Sequence, residues 1–243
     1  MRIKLYFTTL LFLLAFATPA FAQGEHNRSP GDHPHGSESY HMFRLETGYG
    51  GGEHGAVANW DFDGWYGTDE NKLWLKSEGE HSEGTLEQAE FSALYSRNVA
   101  TFWDAQIGVR QNMQPISTTY AVFGVEGLAP YFFETEAHLF VSDDGDVTAR
   151  LRQENDFLVT QRLILQPYVE VNLSAQDVDE QEIGTGFVDG EIGLQTRYEF
   201  TRKFAPYIDL RYERKLGETS SIAKSNGEDN DNFIAGIGLR LMF

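Results

Sequence analysis

The stretch "FIAGIGLRLMF", residues 233–243, sets Phe233, Ala235, Ile237, Leu239, Leu241 and Phe243 on one side of an extended chain and stops on the last aromatic ring. Strict alternation marks a strand with one apolar face, but a strand in a soluble core normally hands the chain on to a turn or a polar tail. The same period of two recurs upstream. "TFWDAQIGVRQ" (101–111) aligns Trp103, Ala105, Ile107 and Val109, and "LILQPYVEVNL" (163–173) aligns Leu163, Leu165, Val169, Val171 and Leu173. "DGEIGLQTRYEF" (189–200) does so with Ile192, Leu194, Thr196, Tyr198 and Phe200. Twelve segments of this kind are read, near 40–49, 56–66, 72–78, 86–96, 101–111, 119–127, 131–141, 146–157, 161–173, 186–200, 203–215 and 232–243. The third, "KLWLKSE", has the weakest pattern.

The faces opposite the apolar ones carry charge, among them Asp61 and Asp63, Lys72 and Lys76, Arg150 and Arg152, Asp189 and Glu191, and Asp209, Arg211 and Glu213. Alternation alone fits a soluble sandwich or lipocalin-like barrel as well as a membrane barrel. Three features select the membrane. The segments reach the ten or so residues that a tilted strand needs to cross hydrocarbon. Aromatic residues gather near segment ends (Trp60, Trp65 and Tyr66; Tyr131 to Phe133; Tyr198 with Phe200), as interfacial girdles require. The terminal Phe243 matches the usual carboxy-terminal recognition feature of Gram-negative outer-membrane barrels. Connection lengths agree: "GTDEN", "RNVA", "LAP", "LVTQ" and "TRK" alternate with "GGGEHG", "GEHSEGT", "NMQPIST", "SDDGD", "SAQDVDEQEIGT" and "KLGETSSIAKSNGEDNDN". Short periplasmic turns and longer outer loops alternate in this way. The reading is an all-β protein, a monomeric transmembrane antiparallel β-barrel of about 12 strands, with outer-membrane lipid and lipopolysaccharide as its surroundings. Opposite charges on neighbouring inward faces predict an interior filled by ion pairs.

Residues 1–22, "MRIKLYFTTLLFLLAFATPAFA", read as a cleaved signal peptide: a basic start at Arg2 and Lys4, an apolar run, and Ala20 and Ala22 before the cut. Residues 23–38 read as a disordered, His-bearing tail without apolar periodicity, and 39–243 as the barrel. The chain has no cysteine, so thiolate metal sites and disulfides are both excluded. Its formal net charge of −18 becomes two units more negative when cleavage removes Arg2 and Lys4, a surface that repels nucleic acid and attracts cations.

That charge directs attention to metal ligands. His26, His33, His35, His41 and His54, with Met42, fall within thirty residues. Imidazole suits Cu(II), which tops the divalent affinity order, and thioether sulfur suits Cu(I). "YFFETEAHLFV" (131–141) places Glu134, Glu136 and His138 on one inward face, either as a metal site or with His138 hydrogen-bonded to Arg150 or Arg152 on the next strand. Met113 and Met242 are weaker candidates. No G-x-S-x-G, H-E-x-x-H or phosphate loop occurs, and the expectation is a protein that is not an enzyme.

A set of stretches in order, "LWLKSEGE" (73–80), "YSR" (95–97), "WDAQIGVR" (103–110), "GLAPYFFE" (127–134), "VSDDGD" (141–146), "TQRLILQP" (160–167) and "FAPYIDLRYERKLGET" (204–219), resembles the copper resistance protein B family, CopB or PcoB. The resemblance runs through roughly residues 56–243. It implies an outer-membrane protein of bacterial copper homeostasis and resistance that binds copper, with periplasmic copper-handling proteins as partners. The family often carries a longer amino end with Met- and His-rich segments, whereas this chain has a short His-bearing tail and no Met-rich repeat. The alternative is a porin-like or structural barrel with no copper role.

Overall fold

The computed structural model describes residues 38–243 except 54 and 83. The predicted signal segment and nearly all of the tail, with His26, His33 and His35, therefore lie outside the described residues, as does His54. Alternation becomes thirteen strands: β1 (Tyr40–Gly52), β2 (Gly55–Gly67), β3 (Asn71–Ser82), β4 (Thr85–Ala100), β5 (Trp103–Gln114), β6 (Thr118–Ala129), β7 (Phe133–Ser142), β8 (Val147–Glu154), the two-residue β9 (Phe157–Leu158), β10 (Leu163–Ser174), β11 (Gly186–Tyr198), β12 (Phe204–Lys215) and β13 (Asp231–Met242). Leaving aside β9, which only extends the turn before β10, the other twelve are the staves of an antiparallel barrel.

Each stave pairs with its neighbour in sequence, β8 pairs with β10, and β1 pairs with β13 from Arg44↔Met242 to Gly51↔Ala235. Below that ladder Phe43 and Phe243 exchange backbone hydrogen bonds of 3.3 and 2.9 Å, so the seam is closed to its end. Closure leaves no strand edge unpaired, the condition for backbone surrounded by hydrocarbon. Gly48 and Gly50 of β1 stand opposite Gly238 and Gly236 of β13. A Cβ at Gly238 would lie 2.2 Å from the Tyr207 ring, so bare backbone is what lets that ring lie flat on the inner wall.

Which way the faces point follows from burial. Ile107, Val109, Ile192, Ile208 and Ile237 are all more than half exposed at mid-strand, an outer belt that only lipid would cover. Exposed aromatics (Tyr40, Tyr66, Tyr95, Phe102, Tyr131, Phe132, Phe200 and Phe204) ring the end that holds the barrel's first and last residues. Buried side chains reverse the pattern of a soluble core. Among the described residues, 21 buried side chains are polar or charged and 14 are hydrophobic. A lipocalin-like barrel with its apolar face inward is therefore excluded.

Two expectations change. The stretches "GGGEHG" and "GEHSEGT" do not form longer loops: only two residues separate β1 from β2, and two separate β3 from β4. Glycine tolerates extended backbone, so ladders such as Gly51↔Ala56 and Glu80↔Gln88 continue nearly to the turn. Long connections are confined to the last two at that end, residues 175–185 and 216–230. The second contains a helix, α1 (Gly217–Asn226), which the strand reading does not anticipate. It stops at Gly227, whose φ of 79° lets its N–H turn back to the carbonyls of Ala223 and Lys224.

Candidate functional site

The barrel interior is built strand by strand from alternate residues, and register fixes which of them meet. Opposite Arg44 of β1 stands Asp63 of β2, and opposite Asp63 stands Lys76 of β3. Arg44 Nε donates to Asp63 at 2.6 Å. Lys76 reaches past its neighbours to Glu136 on β7 at 2.6 Å and Glu126 on β6 at 3.2 Å. Arg150 of β8 spans to Glu90 on β4 at 3.0 Å and Glu78 on β3 at 3.2 Å. Arg152 lies 3.7 Å from Asp61 on β2. Arg211 of β12 pairs with Glu80 of β3 and with Glu213. Nearer the end with the aromatic ring, Arg240 binds Glu46 at 2.5 Å and Gln166 at 2.8 Å, while Arg197 holds Asp156 and Gln166. The bonds of Lys76 and Arg150, with Arg152 to Asp61, Arg211 to Glu80 and Arg240 to Gln166, join staves that are not neighbours in the sheet, so they cross the lumen and tie its walls together.

Within this polar interior lies an apolar cluster of Trp74, Leu94, Tyr120, Val122 and Phe140, with Met42 and Trp65 packed on it. Arg110 lies over it, its guanidinium carbon 3.8 Å from the Phe140 centroid and 4.5 Å from that of Tyr120. The aromatic faces stabilise that cation where water is scarce. Sequence reading missed the cluster, although Trp74 standing between Lys72 and Lys76 in the weakest segment is its trace.

Beyond the cluster the interior widens into a cavity of about 690 Å³, lined by fourteen carboxylate residues and eight Arg or Lys residues. Gln181, in the 175–185 connection, donates to the Tyr120 hydroxyl at 3.1 Å and so brings that connection down into the barrel. Thr219 of α1 accepts a hydrogen bond from Gly184 N–H at 3.0 Å, and Asn226 donates to Glu182 at 2.9 Å. The two long connections are thus bound to each other as well as to the wall.

The predicted ligands are divided by this architecture. His41, the second residue of β1, lies on the outer face with its ring 6.0 Å from that of Phe43, whereas Met42 faces inward. Glu134 stands at the exposed end of β7, opposite Glu154. Glu136 is bound to Lys76. His138 is buried, with Nε2 2.7 Å from Gln106 Oε1 and Nδ1 4.0 Å from Glu136. The Arg150 and Arg152 partners expected for His138 are committed elsewhere. Its partner is Gln106, two strands away, across Gly124, where a Cβ would stand 2.4 Å from the imidazole. Among the described residues, no three His, Asp or Glu side chains converge in a geometry suited to a metal ion. Residues that sequence reading did not single out include Arg44, Glu46, Glu78, Glu90, Gln106, Gln166 and Arg240; all sit on inward positions of the alternation, and most of their partners are far away in the sequence.

Comparison with known proteins agrees with the geometry. The family described as copper resistance protein B precursor (CopB) matches residues 39–243. Copper resistance protein B of Escherichia coli is 44% identical over 186 residues, 76% of this chain and 63% of that protein. A copper resistance protein B homolog of Pseudomonas syringae pv. tomato (strain ATCC BAA-871 / DC3000) is 39% identical over 190 residues, 78% of this chain and 65% of the relative. The chain therefore spans just under two thirds of the length of these curated relatives. Among solved structures, the NanC porin superposes with a TM-score of 0.56 at 13% identity, covering 82% of this chain and 98% of that one. The KdgM porin gives 0.54 at 9% identity, covering 82% and 99%. These two share the barrel fold, and with the family match they place the chain in the outer membrane.

Proposed function

The chain belongs to the copper resistance protein B family, and from that premise we propose that it handles copper at the outer membrane, sequestering or moving the ion as its cargo. The observation that carries this reading is the charge of the interior. Fourteen carboxylate residues against eight basic ones line the wide cavity, and a low-dielectric wall focuses such an excess into a potential that draws cations. Histidines at 26, 33, 35, 41 and 54 supply borderline nitrogen donors suited to Cu(II). In this proposal residues 23–38 form a tail that captures copper after the 1–22 segment is removed. The tail then exchanges the ion with the barrel interior or with periplasmic copper-handling proteins, and lipopolysaccharide surrounds the outer face.

Two measurements separate the halves of the proposal. Titration of the whole folded chain with Cu(II), beside a variant with the five amino-terminal histidines changed to Ala, tests capture; equal affinity and stoichiometry in both would remove the tail from the mechanism. Copper uptake by liposomes carrying the barrel, with and without His138→Ala, tests the interior step. Unchanged uptake would leave His138 as a packing residue held by Gln106.

A further inference from the structure

The closing seam brings two thioethers to one place. Phe43 and Phe243 are bonded backbone to backbone, so the residues flanking them, Met42 and Met242, both turn to the lumen at the same end of the barrel. Register confirms the placement: Met242 stands opposite Arg44, and Met42 stands two residues along the same face. Such diagonal neighbours have Cβ atoms about 7 Å apart, within reach of long side chains. Both residues are partly buried. Met42 packs on the apolar cluster that includes Trp74 and stands opposite Trp65 in the ladder, and the two indole rings are 6.4 Å apart. The cations on this face are each met by a carboxylate: Arg44 by Asp63 at 2.6 Å, Lys72, which lies over the Trp65 ring, by Asp104 at 2.5 Å, and Lys76, which lies over the Trp74 ring, by Glu136 at 2.6 Å.

Resting on the copper reading above, we infer that Met42 and Met242 form a binding site for a soft monovalent cation, Cu(I), at the seam end of the barrel. Thioether sulfur is a soft ligand that selects Cu(I) over hard divalent ions. Imidazole and carboxylate donors elsewhere in the chain suit Cu(II) instead. The site therefore assigns a second oxidation state to the protein, separate from the tail histidines. His41, next to Met42 in sequence, takes no part because it lies on the outer face.

The test titrates the full folded chain in detergent with Ag(I), a soft ion that cannot change oxidation state under these conditions, and in parallel with Cu(II). The expected result is a saturable Ag(I) equivalent that quenches tryptophan fluorescence. Met42→Leu or Met242→Leu should weaken it at least tenfold, and the double variant should abolish it, with Cu(II) binding unchanged. Leucine conserves volume and keeps the barrel packed, and heat-modifiable migration in gels verifies folding. Met113→Leu, at an exposed position at the other end of the barrel, should leave Ag(I) binding unchanged. A double variant that binds Ag(I) as the unaltered protein does, or an unaltered protein that binds none, overturns the site. Loss of Cu(II) binding from the histidine variant with Ag(I) binding intact bears on the histidine capture alone and leaves the thioether site standing.

Discussion

Arg150 illustrates what single residues do inside this barrel. Its guanidinium meets Glu90, Glu78 and, at 3.3 Å, Glu170, so one side chain offsets carboxylates from three other staves. Arg150→Leu would leave those acids facing each other, and for the buried Glu90 the loss of its partner costs up to about 3–5 kcal/mol. The expected outcome is a lower urea midpoint for unfolding from micelles, partly restored by adding Glu90→Gln. The imidazole of His138 is held differently, between the Gln106 amide and the bare backbone of Gly124. Gly124→Ala should displace the ring, and its NMR resonances should shift, while a distant glycine replacement such as Gly145→Ala should not move them. Inward position was legible at both residues from alternation alone. Their partners were not, because bonds such as Arg150 to Glu78 join residues 72 apart, and which staves face each other depends on barrel size and stagger.

At the scale of elements, alternation was enough to find every stave, and boundaries moved by only a few residues. Strand β3 shows where the method weakens. Its inward row Lys72, Trp74, Lys76, Glu78 mixes aromatic with charge, so neither face reads as purely apolar, yet both neighbours pair along its length, with one register shift against β4 between Glu80 and His81. Helix α1 was hidden because it lies in a polar connection and draws its order from tertiary contacts: Thr219 and Ala223 are buried, and Thr219 bonds to the neighbouring connection. Thr219→Val removes that acceptor and leaves the Gly184 N–H without it, costing about 1–3 kcal/mol locally. Protease added to intact cells should then cut within residues 175–185 or 216–230 faster than in the unaltered protein, with the barrel core still resistant.

For the whole molecule, the inversion of polarity decides both placement and permeability. Apolar side chains meet lipid, ion pairs cross the lumen, and an apolar cluster lies among them. A general diffusion porin needs an open aqueous path; here Lys76, Arg150 and Arg211 span it. Reconstituted in planar bilayers, the protein should show small conductance, with a reversal potential favouring cations because carboxylates dominate the wide cavity. Arg150→Leu should raise the conductance. Acid should act on capture. Histidine titrates near pH 6.5, and protons compete with metal for neutral imidazole, so Cu(II) affinity should be full well above that value and fall as pH drops through 6. Titration at pH 7.5 and 5.0 checks the direction. The barrel and its charged lining were legible in the sequence because they are properties of period two. How the lining closes across the lumen was not, since nothing local encodes it.

Copper retention by the folded protein tests the central claim most directly. The protein in detergent micelles is equilibrated with copper, freed of unbound metal, and its copper counted per chain by mass spectrometry. At least one retained equivalent, reduced when the five amino-terminal histidines become alanine, is the expected result. Retention no greater than that of an unrelated outer-membrane barrel treated in parallel would contradict it.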